Sequence, residues 1–344
     1  MSKRKKNHNA SLHLILLLIV ILSVITINRL LQDQRPQLPQ SEASPMIKEE
    51  NFAVYSGSTV TGSYTTLSEA ISSAELLQLA SVRESETDTL LWDNYETFLV
   101  YQNEILVADF MEYPEAVQYA RNNQGTSVSL SSSEKIIWNA DKLPNQVSPI
   151  DAVLIKQMPE LPRGCEVTSL AMLLSHAGIE ADKMTLAQQI RKDPTVYKRV
   201  NGVTTFGNPY DGFVGDMYSY DRPGYGVYHG PVRELAENYL PERIIDMTGS
   251  NFEDMLYALV LGKPVWVIAN TYFTSLPDTM FEQWETPSGS LKITYKEHSV
   301  LLTGYDEEYI YFNDPLAEVK DRKVKIASFR EAWEQMGRQA ITYS

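Results

Sequence analysis

The chain has a single cysteine, Cys165, among its 344 residues. That scarcity excludes a disulfide framework and any Cys-rich zinc site, so whatever chemistry Cys165 carries is that of a thiol. Glycine and proline are sparse, at 17 each, which excludes a collagen-like chain. With 43% hydrophobic and 10% aromatic residues, a wholly disordered chain is excluded too. Long apolar runs are missing beyond one near the start, so this is not a polytopic membrane protein. The length suits two or three domains of ~100 to 200 residues each.

Positive charge is also scarce over most of the chain. Residues 1–45 carry six Lys/Arg and two Asp/Glu, a sum of +4, so the remainder is -14 - 4 = -18. Nucleic-acid affinity comes largely from cation–phosphate contacts, and so acidic a body is not expected to have DNA or RNA as a partner. No pattern of cofactor or metal ligation stands out, and none is expected.

The one long apolar run follows Lys3-Arg4-Lys5-Lys6, and its centre, Leu12 to Ile27, is mainly Leu, Ile and Val. Such a run is just long enough to cross a hydrocarbon core of ~30 Å. Positive charge before it favours a cytoplasmic N-terminus. Residues 1–31 are therefore expected to be a basic tip and a single-pass anchor in the cell membrane, with the body extracellular. A cleaved secretory signal would place the body on the same side, but no small-x-small site follows the run. Residues 32–49, rich in Gln, Pro and Ser at their start, read as a linker.

Next comes a repeat. At an offset of 46 residues the chain matches itself at Phe52/Phe98, Val54/Val100, Tyr55/Tyr101, Ala70/Ala116, Val82/Val128 and Trp92/Trp138, among 12 identities over residues 50–94. Composition alone would supply about three, so residues 50–94 and 96–140 read as a tandem duplication. Each copy reads as two strands, a helix and two more strands. Thr66-x-x-Glu69 has capping-box spacing, and Pro114 suits a first helical turn. The paired Tyr and Trp are either a platform for wall polymer or peptide, or core residues of a small sheet.

From about Val153 the pattern is helix-first. Val167, Leu170, Ala171, Leu174 and Ala177 share a face at helical spacing, which puts Cys165 at the helix N-terminus and Gly178 at its close. There the helix dipole favours a thiolate, and the thiol is expected to titrate below the free value of ~8.5. The other reading is a buried small hydrophobe.

A Cys nucleophile needs a base. His8 and His13 belong to the anchor segment, and His176 is eleven residues along the helix from Cys165, roughly 16 Å away. His229 lies in a Gly/Tyr/Pro stretch. His298 opens an apolar run to Tyr305, followed by Asp306-Glu307-Glu308 and a second run ending at Asp314-Pro315. These runs read as a hairpin. Folded about a turn near Asp306, the residue opposite His298 is number 612 - 298 = 314, so Asp314 becomes its acid partner. Gln157, eight residues before Cys165, is the candidate oxyanion donor together with the Cys165 backbone N–H.

In the order Gln, Cys, His, Asp, these residues resemble the papain-like cysteine peptidases, specifically the bacteriocin-processing peptidases (cysteine peptidase family thirty-nine) and their stand-alone secreted or membrane-anchored bacterial relatives. The matching text is Gln157-Met-Pro-Glu-Leu-Pro-Arg-Gly-Cys165-Glu-Val-Thr-Ser-Leu, Gly224-Tyr-Gly-Val-Tyr, Gly262-Lys-Pro-Val-Trp-Val, His298-Ser-Val-Leu-Leu-Thr-Gly-Tyr and Asn313-Asp-Pro. The resemblance covers residues 150–344. It implies an α+β fold with an N-terminal active-site helix and an antiparallel sheet, with Cys165 as nucleophile, His298 as base, Asp314 as its orienter and Gln157 as the oxyanion residue. One residue departs: Glu166 stands where the leader-processing members have Gly.

Further elements agree with an α+β hydrolase. Ser250-x-x-Glu253 and Ser328-x-x-Glu331 have capping spacing for helices ending at Leu261 and Met336, and strands are expected over Pro264–Tyr272 and Gln339–Tyr343. Asn201–Pro231 reads as a long aromatic loop, either bordering the cleft or packing on the sheet. The function expected is a membrane-anchored extracellular thiol hydrolase acting on a peptide or isopeptide bond of a peptide or protein substrate, cell-wall peptide included. The alternatives are an inactive peptidase-like surface binding protein and an acyl or peptidyl transferase using the same pair.

Overall fold

The computed structural model describes residues 51–133 and 135–344. The first described element is a hairpin, β1 (Phe52–Ser56) and β2 (Thr59–Tyr64), followed by α1 (Leu67–Ala74), β3 (Ala80–Glu84) and β4 (Leu90–Asp93). Its β-rich strands turn at Gly57, whose φ of 57° suits a residue without Cβ. Thr66 caps α1 by accepting the N–H of Glu69, and its hydroxyl donates to the Glu69 carboxylate.

The same sequence of elements follows: β5 (Phe98–Gln102), β6 (Ile105–Phe110), α2 (Tyr113–Arg121), β7 (Thr126–Leu130) and β8 (Ile136–Asn139). The sheets run in the orders β2-β1-β3-β4 and β6-β5-β7-β8, each wholly antiparallel. Register shifts fall at Val54/Tyr55 and Val82/Arg83 in one, and at Val100/Tyr101 and Val128/Ser129 in the other. Pro114 lies in the first turn of α2, where its missing N–H costs nothing. Trp138 is buried and donates to Asp254, which also takes an ion pair from Arg121. These are scaffold contacts, so the core reading of that tryptophan holds.

The remaining chain begins with α3 (Cys165–His176) and α4 (Lys183–Gln189), then β9 (Lys192–Asp193), β10 (Lys198–Val200), β11 (Val203–Thr205) and β12 (Phe213–Val214). It continues with α5 (His229–Glu237), β13 (Ile244–Asp246), α6 (Phe252–Val260), β14 (Val265–Asn270), β15 (Glu282–Thr286) and β16 (Gly289–Ile293). It closes with β17 (Glu297–Tyr305), β18 (Tyr309–Asp314), β19 (Val319–Lys325), α7 (Ile326–Gln335) and β20 (Ala340–Tyr343). The main sheet has the order β13-β20-β14-β17-β18-β19 and is antiparallel throughout.

Both faces of this sheet are covered, which is why β14 is buried at every residue. Its side chains alternate. Trp266 and Ile268 join the core under α3 and α5, whereas Val265, Val267 and Ala269 join the core under α6 and α7. That second core is continuous with the β5–β8 unit through Tyr113, Val117 and Trp138.

Several expectations change. α6 is capped by Asn251 with Asp254, one residue later than Ser250 with Glu253. Ser328 lies inside α7, whose N-cap is Lys325 with no side-chain hydrogen bond, so the Ser328-x-x-Glu331 spacing is not a cap there. Asn201–Pro231 is not a plain loop: it contains β11, β12 and the start of α5.

The expected single-pass membrane protein, N-terminus cytoplasmic and body outside, is corrected. Among the described residues no helix is long and apolar enough to cross a membrane. The longest, α3, has 12 residues, about 18 Å at ~1.5 Å each, against a core of ~30 Å. The segment Leu12–Ile27, on which the anchor rested, lies outside the described residues.

Candidate active site

Cys165 opens α3. Gly164 is the N-cap residue, and a Cβ there would stand 2.7 Å from Leu161 Cβ, so only glycine lets the Gln157–Gly164 turn fold so tightly against the helix. The helix is pinned to the sheet where Trp266 Nε1 donates to the Glu166 carbonyl at 2.9 Å and Ser169 Oγ to the Ser299 carbonyl at 3.1 Å. Gln157 is 2% exposed. Its Nε2 donates to the Pro162 carbonyl at 2.9 Å, which leaves one Nε2 hydrogen free, while its Oε1 has no partner.

His298 lies on β17 opposite Ala269 of β14. Its Nε2 meets Asp314 Oδ1 at 2.9 Å, both side chains being 2% exposed. The β17–β18 hairpin forms as expected, but not in the expected register. Leu301 faces Asn313 and Leu302 faces Phe312, and the register then shifts before Gly304/Tyr311. Extending the first two pairs puts Asp314 two residues from the position opposite His298. A two-residue offset keeps both side chains on one face, and a diagonal pair remains within reach of long side chains. Asp314 also accepts the N–H groups of Leu316 and Ala317 and an Arg322 guanidinium hydrogen at 2.7 Å. Burial pushes its carboxyl up, but the hydrogen bond and charge of His298, with the Ala317 N–H and Arg322, hold it well below the usual carboxylate range.

Gln157, Cys165, Tyr225, Tyr295, Glu297 and His298 line one cleft of about 290 Å³. The structure thus brings three of the four expected site residues to one cavity and puts the fourth, Asp314, behind His298. The other two described histidines are elsewhere. His176 Nδ1 is 2.7 Å from the Tyr343 hydroxyl at the far end of α3, and His229 Nδ1 is 2.6 Å from Asp246 Oδ2. Asp246 borders a different cleft, of about 510 Å³, next to Arg233 and Glu237.

The thiol departs from expectation. Burial pushes Cys165 well above its ordinary value, and the charges of Glu166 and Glu297 push it further. These outweigh the favourable Ser299 N–H. Cys165 Sγ donates to Glu166 Oε2 at 3.4 Å, and Glu166 Oε1 accepts the Val227 N–H at 2.8 Å. Sequence reasoning noted Glu166 only as a departure and missed Glu297 altogether, although it directly precedes His298. Cys165, Glu166 and Glu297 hold ligand atoms within 4.8 Å of one another, the one group among the described residues spaced to hold a metal ion.

Of the two readings of Asn201–Pro231, the cleft border holds for Tyr220, Gly224 and Tyr225, and packing on the sheet holds for Phe213, Met217 and Val227, which join the core with Trp266 and Ile268. Phe206, Val214 and Tyr228 instead pack with Trp284 in a small core of their own.

Known proteins are similar to this part of the chain. The uncharacterized protein YvpB of Bacillus subtilis is 46% identical over 202 residues, which are 58% of this chain and 77% of the relative. A crystal structure from Bacillus anthracis, described as a C39-like peptidase, matches with a TM-score of 0.55 and 47% identity, covering 58% of this chain and 98% of that one. The model of the Peptidase_C39 like family matches residues 149–341, and the chain belongs to that family.

Proposed function

We propose that this protein is a cysteine peptidase that cleaves a peptide or isopeptide bond of a peptide or protein through an acyl-enzyme on Cys165. The observation that carries this reading is the buried His298–Asp314 pair, whose histidine shares a cleft with Cys165 and Gln157. The thiol is protonated at rest, because burial and two neighbouring carboxyls favour its neutral form. His298, with Nε2 committed to Asp314, takes the Sγ proton on Nδ1 as sulfur attacks the carbonyl carbon. The oxyanion accepts the Cys165 N–H and the free Nε2 hydrogen of Gln157. The imidazolium, stabilised by Asp314, gives its proton to the leaving nitrogen as the C–N bond breaks. Water, deprotonated by His298, then splits the thioester and restores the thiol.

The test is labelling of Cys165 by an electrophilic peptide probe in wild type and in His298→Ala. Equal rates in the two proteins would sink the reading. A second reading, an inactive peptidase-like binding protein, is favoured by one observation, the upward push on the thiol. It predicts that equal-rate outcome.

We also infer that residues 50–94 and 96–140 are a tandem duplication. The 46-residue offset of identities supports this, as do the matching strand orders and register shifts of the two sheets.

A further inference from the structure

Two carboxyls, Glu166 and Glu297, stand beside Cys165 with no cation to match them. Neither pairs with a Lys, Arg or His among the described residues. Glu166 is fully buried, and its oxygens meet its own backbone N–H, the Val227 N–H and the thiol, none of them a cation. Glu297 lines the cleft, and its Oε1 is buried with no hydrogen-bond partner. The two side chains converge on Gly226. A Cβ there would collide with Glu166 Oε1 and stand 3.1 Å from Glu297 Oε2, so the absence of a side chain keeps this space open.

A second acceptor in the cleft is also unsatisfied. Gln157, 2% exposed, has a buried Oε1 with no partner. Two orphaned acceptors on one cavity call for a ligand rich in N–H donors and poor in acceptors. Tyr225 and Tyr295, T-shaped to each other with ring centroids 5.9 Å apart, also line the cleft. The cleft's own Arg163 does not meet the need. Its guanidinium donates to the carbonyls of Asp216 and Ser219 and lies 4.9 Å from the Tyr220 ring centroid.

We propose that Glu297, backed by Glu166, is a recognition site for an ammonium or guanidinium group carried by the substrate next to the bond that Cys165 attacks. The proposal rests on reading the Cys165 cleft as an active site. It makes the protein selective for a Lys or Arg side chain, or a free amine, beside the scissile carbonyl. Two buried acids without a countercharge are costly to ionise together, and an incoming cation removes that cost. The present balance reflects it: burial pushes Glu166 up to about 7, while burial and then the charge of Glu166 push Glu297 well above its ordinary value. A cationic substrate would thereby also quench the negative charge that now opposes the Cys165 thiolate.

The experiment compares alkylation of Cys165, with loss of chloride, by matched peptidyl chloromethyl ketones that differ in one residue beside the reactive carbon. Lysine and arginine probes should react at least ten-fold faster than norleucine, with glutamate slowest. In Glu297→Gln the ratio of lysine to norleucine rates should fall towards one, and Glu297→Asp should restore part of it. Acetyl-capped and uncapped norleucine probes separate a side-chain cation from a free amine as the recognised group. Equal lysine and norleucine rates in wild type, with capping also without effect, would overturn the subsite while leaving the His298-dependent reaction of Cys165 standing. So would a lysine preference that survives Glu297→Gln.

A readout without chemistry keeps the two readings distinguishable. Butylammonium binding to the full chain, measured by NMR titration in the presence of a chelator, should be saturable in wild type and at least ten-fold weaker in Glu297→Gln. Equal affinity, or no binding, overturns the proposal even where no probe reacts with Cys165. So does a Zn²⁺ complex, detected without chelator, that butylammonium cannot displace, since the carboxyls would then be a metal site. A thermal melt of each variant separates loss of fold from loss of the subsite.

Discussion

The domain holds two histidine–aspartate pairs, and only their surroundings tell them apart. His229–Asp246 is the shorter, at 2.6 Å against 2.9 Å for His298–Asp314. By distance alone it would be the better candidate. However, its histidine side chain is 24% exposed and its aspartate borders the cleft beside Arg233 and Glu237. His298 is buried on a sheet covered on both faces and shares its cavity with the only thiol. Asp314 is held by three donors besides histidine, whereas Asp246 takes the Thr248 N–H. A histidine–acid pair is thus a common way to satisfy two polar groups. What marks one as chemical machinery is the reactive group it shares a cavity with.

The strongest test of that contrast is to remove each imidazole in turn. His298→Ala should slow acylation of Cys165 by ~10² to 10⁴, the usual loss for a general base. His229→Ala should leave the rate within about two-fold. Labelling kinetics with one electrophilic peptide probe measure both, and the reverse ranking would move the active site to the other pair.

Asp314→Ala should cost less than His298→Ala, about 10 to 10² in the same assay, because the aspartate orients and stabilises the imidazole without taking its proton. It should also change acid unfolding. The Asp314 carboxyl is held below its ordinary value, so the stability it contributes is present above about pH 4 and is lost as pH falls through the folded value. The variant should therefore show a shallower acid limb in unfolding followed by circular dichroism. An unchanged limb would show that the four-donor cage around Asp314 does not form.

The acid pair beside the thiol is the second difference between the two sites. Glu166 is pushed from 4.5 to about 7 by burial, so the folded protein holds this proton more tightly than the unfolded chain does. Its contribution is full below about pH 4 and is lost as pH rises through 7, with an upper bound of roughly 3 kcal/mol. Wild type should lose unfolding free energy between pH 5 and 8, and Glu166→Gln should flatten that slope in urea titrations. The same variant should lower the pH midpoint for alkylation of Cys165, since Glu166 is one of the groups that push the thiol up. A midpoint that stays put would leave burial and Glu297 as the causes.

The smallest effect belongs to the other pair. Asp246→Asn should cost ~1 to 2 kcal/mol, because His229 Nδ1 and the Thr248 N–H each lose a charged acceptor. Acylation should not change. A loss of acylation larger than the loss of stability would tie the two clefts together.

Much of the site was legible in the sequence where local rules govern. Apolar spacing put Cys165 at the start of a helix, and it opens α3. The two runs around Asp306 read as a hairpin, which forms because Asp306 Oδ1 caps the turn through the N–H groups of Glu308 and Tyr309. The exact register was not legible, since a shift near Thr303 depends on packing against β14 and the Val147 strand edge. α5 was missed because Gly224–Pro231 looks like a breaker-rich loop. Pro231 instead sits in the helix's first turn, where it is tolerated.

Residues 50–94 and 96–140 show the same division. Their two sheets have the same strand order, yet Trp138 and Tyr113 are buried against α6 while Trp92 and Leu67, 46 residues earlier, are only half-buried. Arg121, which pairs with Asp254, has Glu75 at the equivalent position. Local propensity shapes the unit. What it docks on sets the burial.

From the sequence alone came the order Gln157, Cys165, His298 and Asp314, the helix that presents the thiol and the hairpin that carries His298, because turns, caps and periodicity act over a few residues. Only the tertiary structure decided that Glu166 and Glu297 flank the thiol, that Cys165 is pushed up rather than down, and that His229 has an aspartate of its own. Desolvation and the meeting of charges from distant strands depend on how helix and sheet pack, and no local pattern encodes them.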